Sequence, residues 1–256
     1  MAKFVVNCKS GLIIRAGPVT KPLQMPRFFV TPSSPCPYLP GQEERKIFTR
    51  LTGDDPAHMN DMLSDIGFRR SQNIAYRPAC ISCSACKSSR IPVARFEPDR
   101  TMRRTVRRNQ DLYLGVGGAS ATLEQYQLLR KYLGSRHSDG GMANMDAFDY
   151  RMMVEDSPIN TTILEFRDGG EDGNLVAASI TDIVGDGLSM VYSYFDPDYA
   201  DRSLGSYMIL RHIQLAREME LKYVYLGYWI EGCRKMDYKT RFRPIELLGP
   251  EGWKEP

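Results

Sequence analysis

The stretch YSYFDPDYADRSLGSYMILRHI, residues 192–213, reads as the end of a strand, a turn and the opening of a helix. LSMVYSYFD, which runs through Tyr192 and Tyr194, has the aromatic and apolar content of a strand, and the DPD segment around Pro197 ends it. RSLGSYMILRHIQLAREME then carries the apolar repeat of an amphipathic helix. Arg202, followed by Gly205 at the helix mouth, lets backbone N–H groups approach an anion closely, and the helix dipole favours negative charge there. A glycine at that point equally lets the helix pack tightly on a sheet, so the motif alone does not choose between the two.

Outward from this stretch, NTTILEFRD and NLVAASITDIV are strand-like runs separated from each other and from LSMVYSYFD by the turn signals DGGEDG and GDG. Before them TLEQYQLLRKYLGSRH reads as an amphipathic helix ended by Gly134, and MDAFDYRMMVE as a second helix. Downstream, KYVYLGYWI is a strand. The order helix, helix, antiparallel strands, helix, strand is that of a GNAT-like acyltransferase fold. That fold is α+β, with a mixed, mostly antiparallel sheet in which one strand splays away from its neighbour. Such a domain is expected over residues 119–250, and GVGG just before it reads as a linker, being too short for a dinucleotide fingerprint.

With 256 residues, 42% hydrophobic and 25% charged, the chain suits one large or two modest globular domains. It lacks a run of about 18 apolar residues and a secretory leader, so a cytoplasmic protein with no membrane partner is expected. Residues 1–25 read as an extended lead-in, and a cysteine-containing domain is expected over residues 26–115. In it PSSPCPYLPGQ is an irregular loop, EERKIFTRL and HMNDMLSDIGF show near-helical spacing, and RIPVARF resembles a strand. The net charge of +3 hides a segment, Lys87 to Arg108, that holds eight Lys or Arg against Glu97 and Asp99. A helix capped by Asp99 would put Arg103, Arg104, Arg107 and Arg108 on one face, where they repel one another unless an anion lies across them.

Cys80, Cys83 and Cys86 stand at two successive C-x-x-C spacings, and Cys36 in its Pro/Gly-framed loop supplies a fourth thiol. Zinc and an iron–sulfur cluster both suit four thiolates, and packing of reduced thiols in a tight turn is the alternative. Six cysteines in a chain of this length do not make a secreted disulfide scaffold.

Five stretches resemble the aminoacyl-tRNA:protein transferases, most closely the bacterial branch that attaches leucine to N-terminal Asp or Glu. They are CPYLPGQEERKIFTRL, GFRRSQNIAYRPACISCSAC, RIPVARFEPDRTMRRTVRRNQDL, YSYFDPDYADRSLGSYMILRHI and LGYWIEGCRKMDYKTRFRPIELL. The arginyl branch is similar more distantly. The resemblance implies leucyl-tRNA as donor, proteins with N-terminal Asp or Glu as acceptors, and chemistry that needs no cofactor. Phosphate contacts are then expected at Arg103, Arg104, Arg107, Arg108, Arg202 and Gly205, with Tyr228 stacking on the terminal adenosine or lining the acyl pocket. Tyr192, Tyr194 and Asp196 are the candidates at the reacting centre, with Asp198 as a turn residue beside it. Recognition of the acceptor carboxylate calls for a cationic fork, for which Arg69, Arg70, Arg77, Arg234, Lys235 and Lys239 are the candidates. A coenzyme A-dependent N-acetyltransferase would need neither the arginine helix nor the cysteines. A non-enzymatic metal-and-RNA-binding module would leave the C-terminal half without a role.

Overall fold

The computed structural model describes residues 26–136 and 141–256, so the lead-in expected over 1–25 lies outside the described residues. In chain order the elements are β1 (Phe28–Val30), β2 (Ser34–Pro35), β3 (Glu43–Glu44), β4 (Lys46–Arg50), α1 (Pro56–Asp65), β5 (Arg69–Ser71), β6 (Ile74–Pro78), β7 (Cys86–Pro92), α2 (Arg100–Arg108) and β8 (Tyr113–Gly118). They continue as α3 (Leu123–Arg136), α4 (Ala147–Glu155), β9 (Thr161–Asp168), β10 (Asn174–Val184), β11 (Gly187–Phe195), α5 (Leu204–Glu218), β12 (Tyr223–Ile230), β13 (Glu246–Gly249) and β14 (Gly252–Lys254). Eight strands make the main sheet, in the order β14-β13-β7-β12-β11-β10-β9-β8, and β1-β4-β6-β5 make a smaller one. The fold is mixed α+β, with the parallel pair β11–β12 set among antiparallel ladders.

Helices cover both faces of the main sheet. On one face α3 and α4 bring Leu128, Leu129, Leu133, Tyr150 and Val154 against Ile163, Ala178, Ile180 and Tyr194. On the other, Met102 of α2 and Ile209, Leu210 and Ile213 of α5 pack on Ile91, Leu188 and Val224. Cover on both faces explains why β10 is buried along almost its whole length instead of alternating. His212 faces the sheet from α5 and is fully buried. Its Nδ1 donates to Met208 O at 2.7 Å, which leaves Nε2 to accept from Thr181 Oγ1 at 2.8 Å.

Several expected elements differ. EERKIFTRL is not a helix: it gives β3 and β4, and β4 lies between β1 and β6, where Ile47, Phe48 and Thr49 suit a pleated surface. Gly134 does not end α3, which runs on to Arg136 on the strength of the packed Leu128, Leu129 and Leu133. GVGG is no linker but the end of β8, with Val116, Gly117 and Gly118 paired to Leu164, Ile163 and Thr162. The boundary expected between 115 and 119 therefore falls inside a strand. β7, from the N-terminal half, lies between β13 and β12, so the two halves share one sheet. The expected helix of HMNDMLSDIGF is present as α1, and Gly67 follows it at φ +89, where an added Cβ would lie 2.7 Å from Leu248.

Candidate active site

The main sheet opens between β11 and β12. The two pair only through Gly187↔Tyr223, Leu188↔Val224 and Ser189↔Tyr225, after which β11 runs to Phe195 and β12 to Ile230 without a ladder between them. On its far side β12 stays zipped to β7 as far as Ile230↔Cys86, with a bulge between Tyr225 and Gly227. β11 likewise stays paired to β10 as far as Ala177↔Phe195, with a register shift between Ile180 and Thr181, so the gap lies where the two laddered halves of the sheet diverge.

Tyr192 is half-buried on β11, and its hydroxyl pKa is raised, first by burial and then by the neighbouring Tyr132 of α3 and Tyr38 of the N-terminal loop. Tyr132 also neighbours Tyr238, which is exposed. The loop reaches the end of β12 as well, since a Cβ at Gly232 would lie 3.8 Å from Leu39. Tyr38, Tyr132 and Tyr238 escaped the sequence reading because each lies on a different element from the two strands that frame the gap.

Tyr194 does not reach the gap. It is fully buried, its hydroxyl lies 2.7 Å from that of Tyr150, and Tyr150 in turn donates to Gln125 Oε1 at 2.9 Å. Burial raises its pKa far above that of an exposed tyrosine, and the network belongs to the core between α3, α4 and the sheet. Tyr228 is also committed: its hydroxyl hydrogen-bonds Gly67 O at 2.8 Å and Tyr76 O at 3.0 Å, bridging β12 to the smaller sheet.

Asp196 follows β11 and caps the 3-10 turn Pro197–Arg202, accepting from Asp198 N at 2.9 Å. Lys131 of α3 lies 2.6 Å from a carboxylate oxygen of each of Asp196 and Asp198, and this raises the lysine pKa. Asp196 therefore holds a turn and a cation, and acting as a base would require release from Lys131. No sequence signal marked Lys131.

At the mouth of α5, Ser203 adopts a left-handed conformation (φ +56) and the helix has no side-chain cap. A Cβ at Gly205 would lie 3.4 Å from the Phe195 ring, an ordinary contact, so the start of α5 lies beside the end of β11 without requiring a glycine there. Arg202 pairs with Asp111 and donates to Arg108 O at 2.9 Å, while Arg108 donates back to Asp201 O. The end of α2 and the start of α5 are thus one surface. Asp99 caps α2 as expected, accepting from Met102 N at 2.8 Å. Arg103, Arg104, Arg107 and Arg108 are all exposed, and among the described residues none pairs with a carboxylate.

The six candidates for the acceptor carboxylate divide. Arg70 is buried in a two-pronged pair with Asp182, both contacts at 2.7 Å, and is not available to a substrate. Arg69 is buried too: it donates to Phe68 O at 3.2 Å and to Ser88 Oγ, and lies over the Tyr225 ring. Lys239 is buried and donates to Leu226 O at 2.7 Å and Tyr228 O at 2.5 Å. Arg77, Arg234 and Lys235 are exposed, with Arg77 stacked 5.2 Å over the Phe68 ring.

Cys36, Cys80, Cys83 and Cys86 are free, half-buried thiols gathered in one neighbourhood: burial first, then Cys80, Cys36 and Cys83, push Cys86 up to about 11. The knuckle separates two concavities, one of about 490 Å3 reaching Leu39 and Glu231 and one of about 340 Å3 reaching Lys87 and Leu248. Soft sulfur donors suit zinc or an iron–sulfur cluster. Among the described residues no three Cys, His, Asp or Glu stand at metal-holding separation.

Residues 34–104 match the family described as arginine-tRNA-protein transferase, N terminus, and residues 124–249 its C-terminal counterpart. A protein of Afipia carboxidovorans named aspartate/glutamate leucyltransferase is 56% identical over 232 residues, covering 89% of this chain and 92% of that one. One of the same name from Brucella ovis is 55% identical over 241 residues, covering 91% and 97%. The solved structure of L-PGS from Bacillus licheniformis has a TM-score of 0.45 at 14% identity, covering 66% of this chain and 50% of that one, a likeness too slight to argue from. With both halves of the family signature in order and such identity over nine-tenths of its length, the chain belongs to the aspartate/glutamate leucyltransferases of the arginine-tRNA-protein transferase family.

Proposed function

We propose that the protein transfers leucine from leucyl-tRNA to the N-terminal amine of proteins that begin with Asp or Glu, marking them for degradation, and that transfer occurs in the gap between β11 and β12. The observation that carries the reading is this gap, opening beside an exposed helix on which four arginines have no carboxylate partner among the described residues, an arrangement that suits a GNAT-like acyltransferase. An aminoacyl-tRNA is an activated ester on a polyanion. The arginines of α2 meet the phosphates and Tyr192, with Tyr38 and Tyr132, lines the space for the aminoacyl-adenosine end. Arg77, Arg234 and Lys235, the exposed candidates, supply the charge that reads the acceptor carboxylate.

The acceptor amine attacks the ester carbonyl as a neutral group. An α-amino pKa of roughly 7.7–8.0 makes that form available near neutral pH. The C–N bond forms, the C–O bond to the tRNA breaks, and the proton lost by the amine ends on the released ribose hydroxyl. Holding the two reactants together supplies most of the acceleration, so a strong protein base is not required.

The test supplies several labelled aminoacyl-tRNAs and peptides differing in the first residue. Leucine should move to Asp- and Glu-initiated peptides. Transfer of arginine instead would assign the arginyl branch, and acetylation from acetyl-coenzyme A without tRNA would overturn the reading.

A further inference from the structure

Past Ser189↔Tyr225, β12 has an edge of backbone that no strand among the described residues covers. Glu231 N donates to Ala85 O and Gly227 O accepts from Ser89 Oγ, both toward β7. Gly227, at φ +74 beside the bulge, breaks the strand's alternation, so that the carbonyls of Leu226 and Tyr228 on either side of it turn toward one point. Both are taken by one side chain, Lys239 Nζ, at 2.7 and 2.5 Å. The lysine is 5% exposed and reaches up from the 3-10 turn Arg234–Arg241. Gly227, at φ +74, lies between the two carbonyls, and a Cβ there would be 4.0 Å from Nζ.

We infer that Lys239 is the wedge that keeps the β11–β12 gap open: it takes the two β12 carbonyls that a continuing ladder would have offered to β11, and so positions the floor of the transfer site. Beyond the bulge β12 is held by its ladder to β7 and by three side chains: Ser89 on Gly227 O, Lys239 on the Leu226 and Tyr228 carbonyls, and the Tyr228 hydroxyl on Gly67 O and on Tyr76 O of the smaller sheet. Burial and the nearby Arg69 guanidinium lower the Lys239 pKa to about 7. The wedge does not depend on that charge, because a neutral amine still carries two N–H donors for two carbonyls. Lys239 is thus a positioning residue and does not read the acceptor carboxylate. The inference rests on placing the reaction in this gap.

The test compares Lys239→Met, which keeps the volume and loses the donors, with Lys239→Arg, which keeps donors. For Lys239→Met, kcat for leucine transfer should fall at least tenfold, while KM for leucyl-tRNA and for an Asp-initiated peptide each change less than threefold. Amides of 226–230 should exchange with solvent at least tenfold faster, and Lys239→Arg should lie nearer wild type on both measures. Unchanged kcat, or unchanged exchange over 226–230, would overturn the wedge. If Lys239→Met does not fold, the wild-type protein decides: a Lys239 15Nζ signal coupled to the Leu226 and Tyr228 carbonyl carbons supports it, and an uncoupled, rapidly exchanging amine overturns it. Wild-type protein that transfers no leucine would sink the functional reading, while the exchange and NMR measurements would still judge the wedge.

Discussion

His212 shows how one buried ring can set a pH limit on the whole fold. Burial lowers its pKa to about 4, against 6.5 in an unfolded chain. Above pH 6.5 both states hold a neutral ring and it adds no pH dependence. Between pH 6.5 and 4 the unfolded state binds a proton that the folded state refuses, so stability falls as the pH falls, by about 3 kcal/mol across the window. His212→Gln keeps an amide that can donate to Met208 O and accept from Thr181 Oγ1 without titrating. In urea unfolding at pH 7, 5.5 and 4.5, the loss in the wild type should exceed that in the variant. At the surface, Arg77→Ala should act on specificity. A charge-assisted hydrogen bond contributes about 1.5–3 kcal/mol, so its loss should cut the preference for Asp- over Asn-initiated peptides by roughly 10- to 100-fold. A variant that keeps its full acidic preference would move the carboxylate contact to Arg234 or Lys235. The cationic candidates were legible in the sequence as residue types only: GFRRS and YRP are rich in arginine, but pairing with Asp182, which is distant in sequence, decides that Arg70 is internal while Arg77 is not.

Among the elements, α2 was the most legible, because Asp99 gives a cap and Met102 and Val106 give it one apolar side against a cationic remainder. α5 was legible by its apolar period, and β9 to β11 by their length and strand-like content between the turn signals DGGEDG and GDG. The hairpin of β5 and β6 was not: β5 has three residues, two of them buried arginines, and its turn depends on Gln72 at φ +52. β13 and β14 are as short, and β8 was hidden by its glycines, which an edge strand tolerates. The predicted role of α2 is electrostatic. Replacing Arg103, Arg104, Arg107 and Arg108 with Ala should weaken tRNA binding and lower the slope of log affinity against log salt by roughly 3, since each phosphate contact contributes about 0.7–0.9. Peptide affinity should stay within twofold, and an unchanged salt slope would take α2 out of the interface.

For the molecule as a whole, the two halves of the family signature are not two folding units laid side by side. β7 is an inner strand of the main sheet, and the smaller sheet is tied to it through Arg70 on β5 and Asp182 on β10, both side chains 1% exposed. Asp182 also accepts from Thr161 Oγ1 at 2.7 Å, and the remaining Arg70 nitrogen donates to Gln72 O at 2.9 Å, so few donors or acceptors are left over. A buried pair of this kind contributes little net stability over an apolar pair of the same volume, yet removing one partner strands a charge and costs about 3–5 kcal/mol. Arg70→Met should therefore lower the unfolding free energy by that amount, and Arg70→Met with Asp182→Leu should recover most of it. The pair also sets where the smaller sheet sits, and that sheet carries Tyr76, one of the two acceptors for the Tyr228 hydroxyl on β12. Recovered stability without recovered leucine transfer would show that the pair fixes the register between the sheets as well as holding them together. If the double variant regains both stability and transfer, apolar packing alone holds the two sheets in place. If Arg70→Met is as stable as wild type, the pair is not the tie between them.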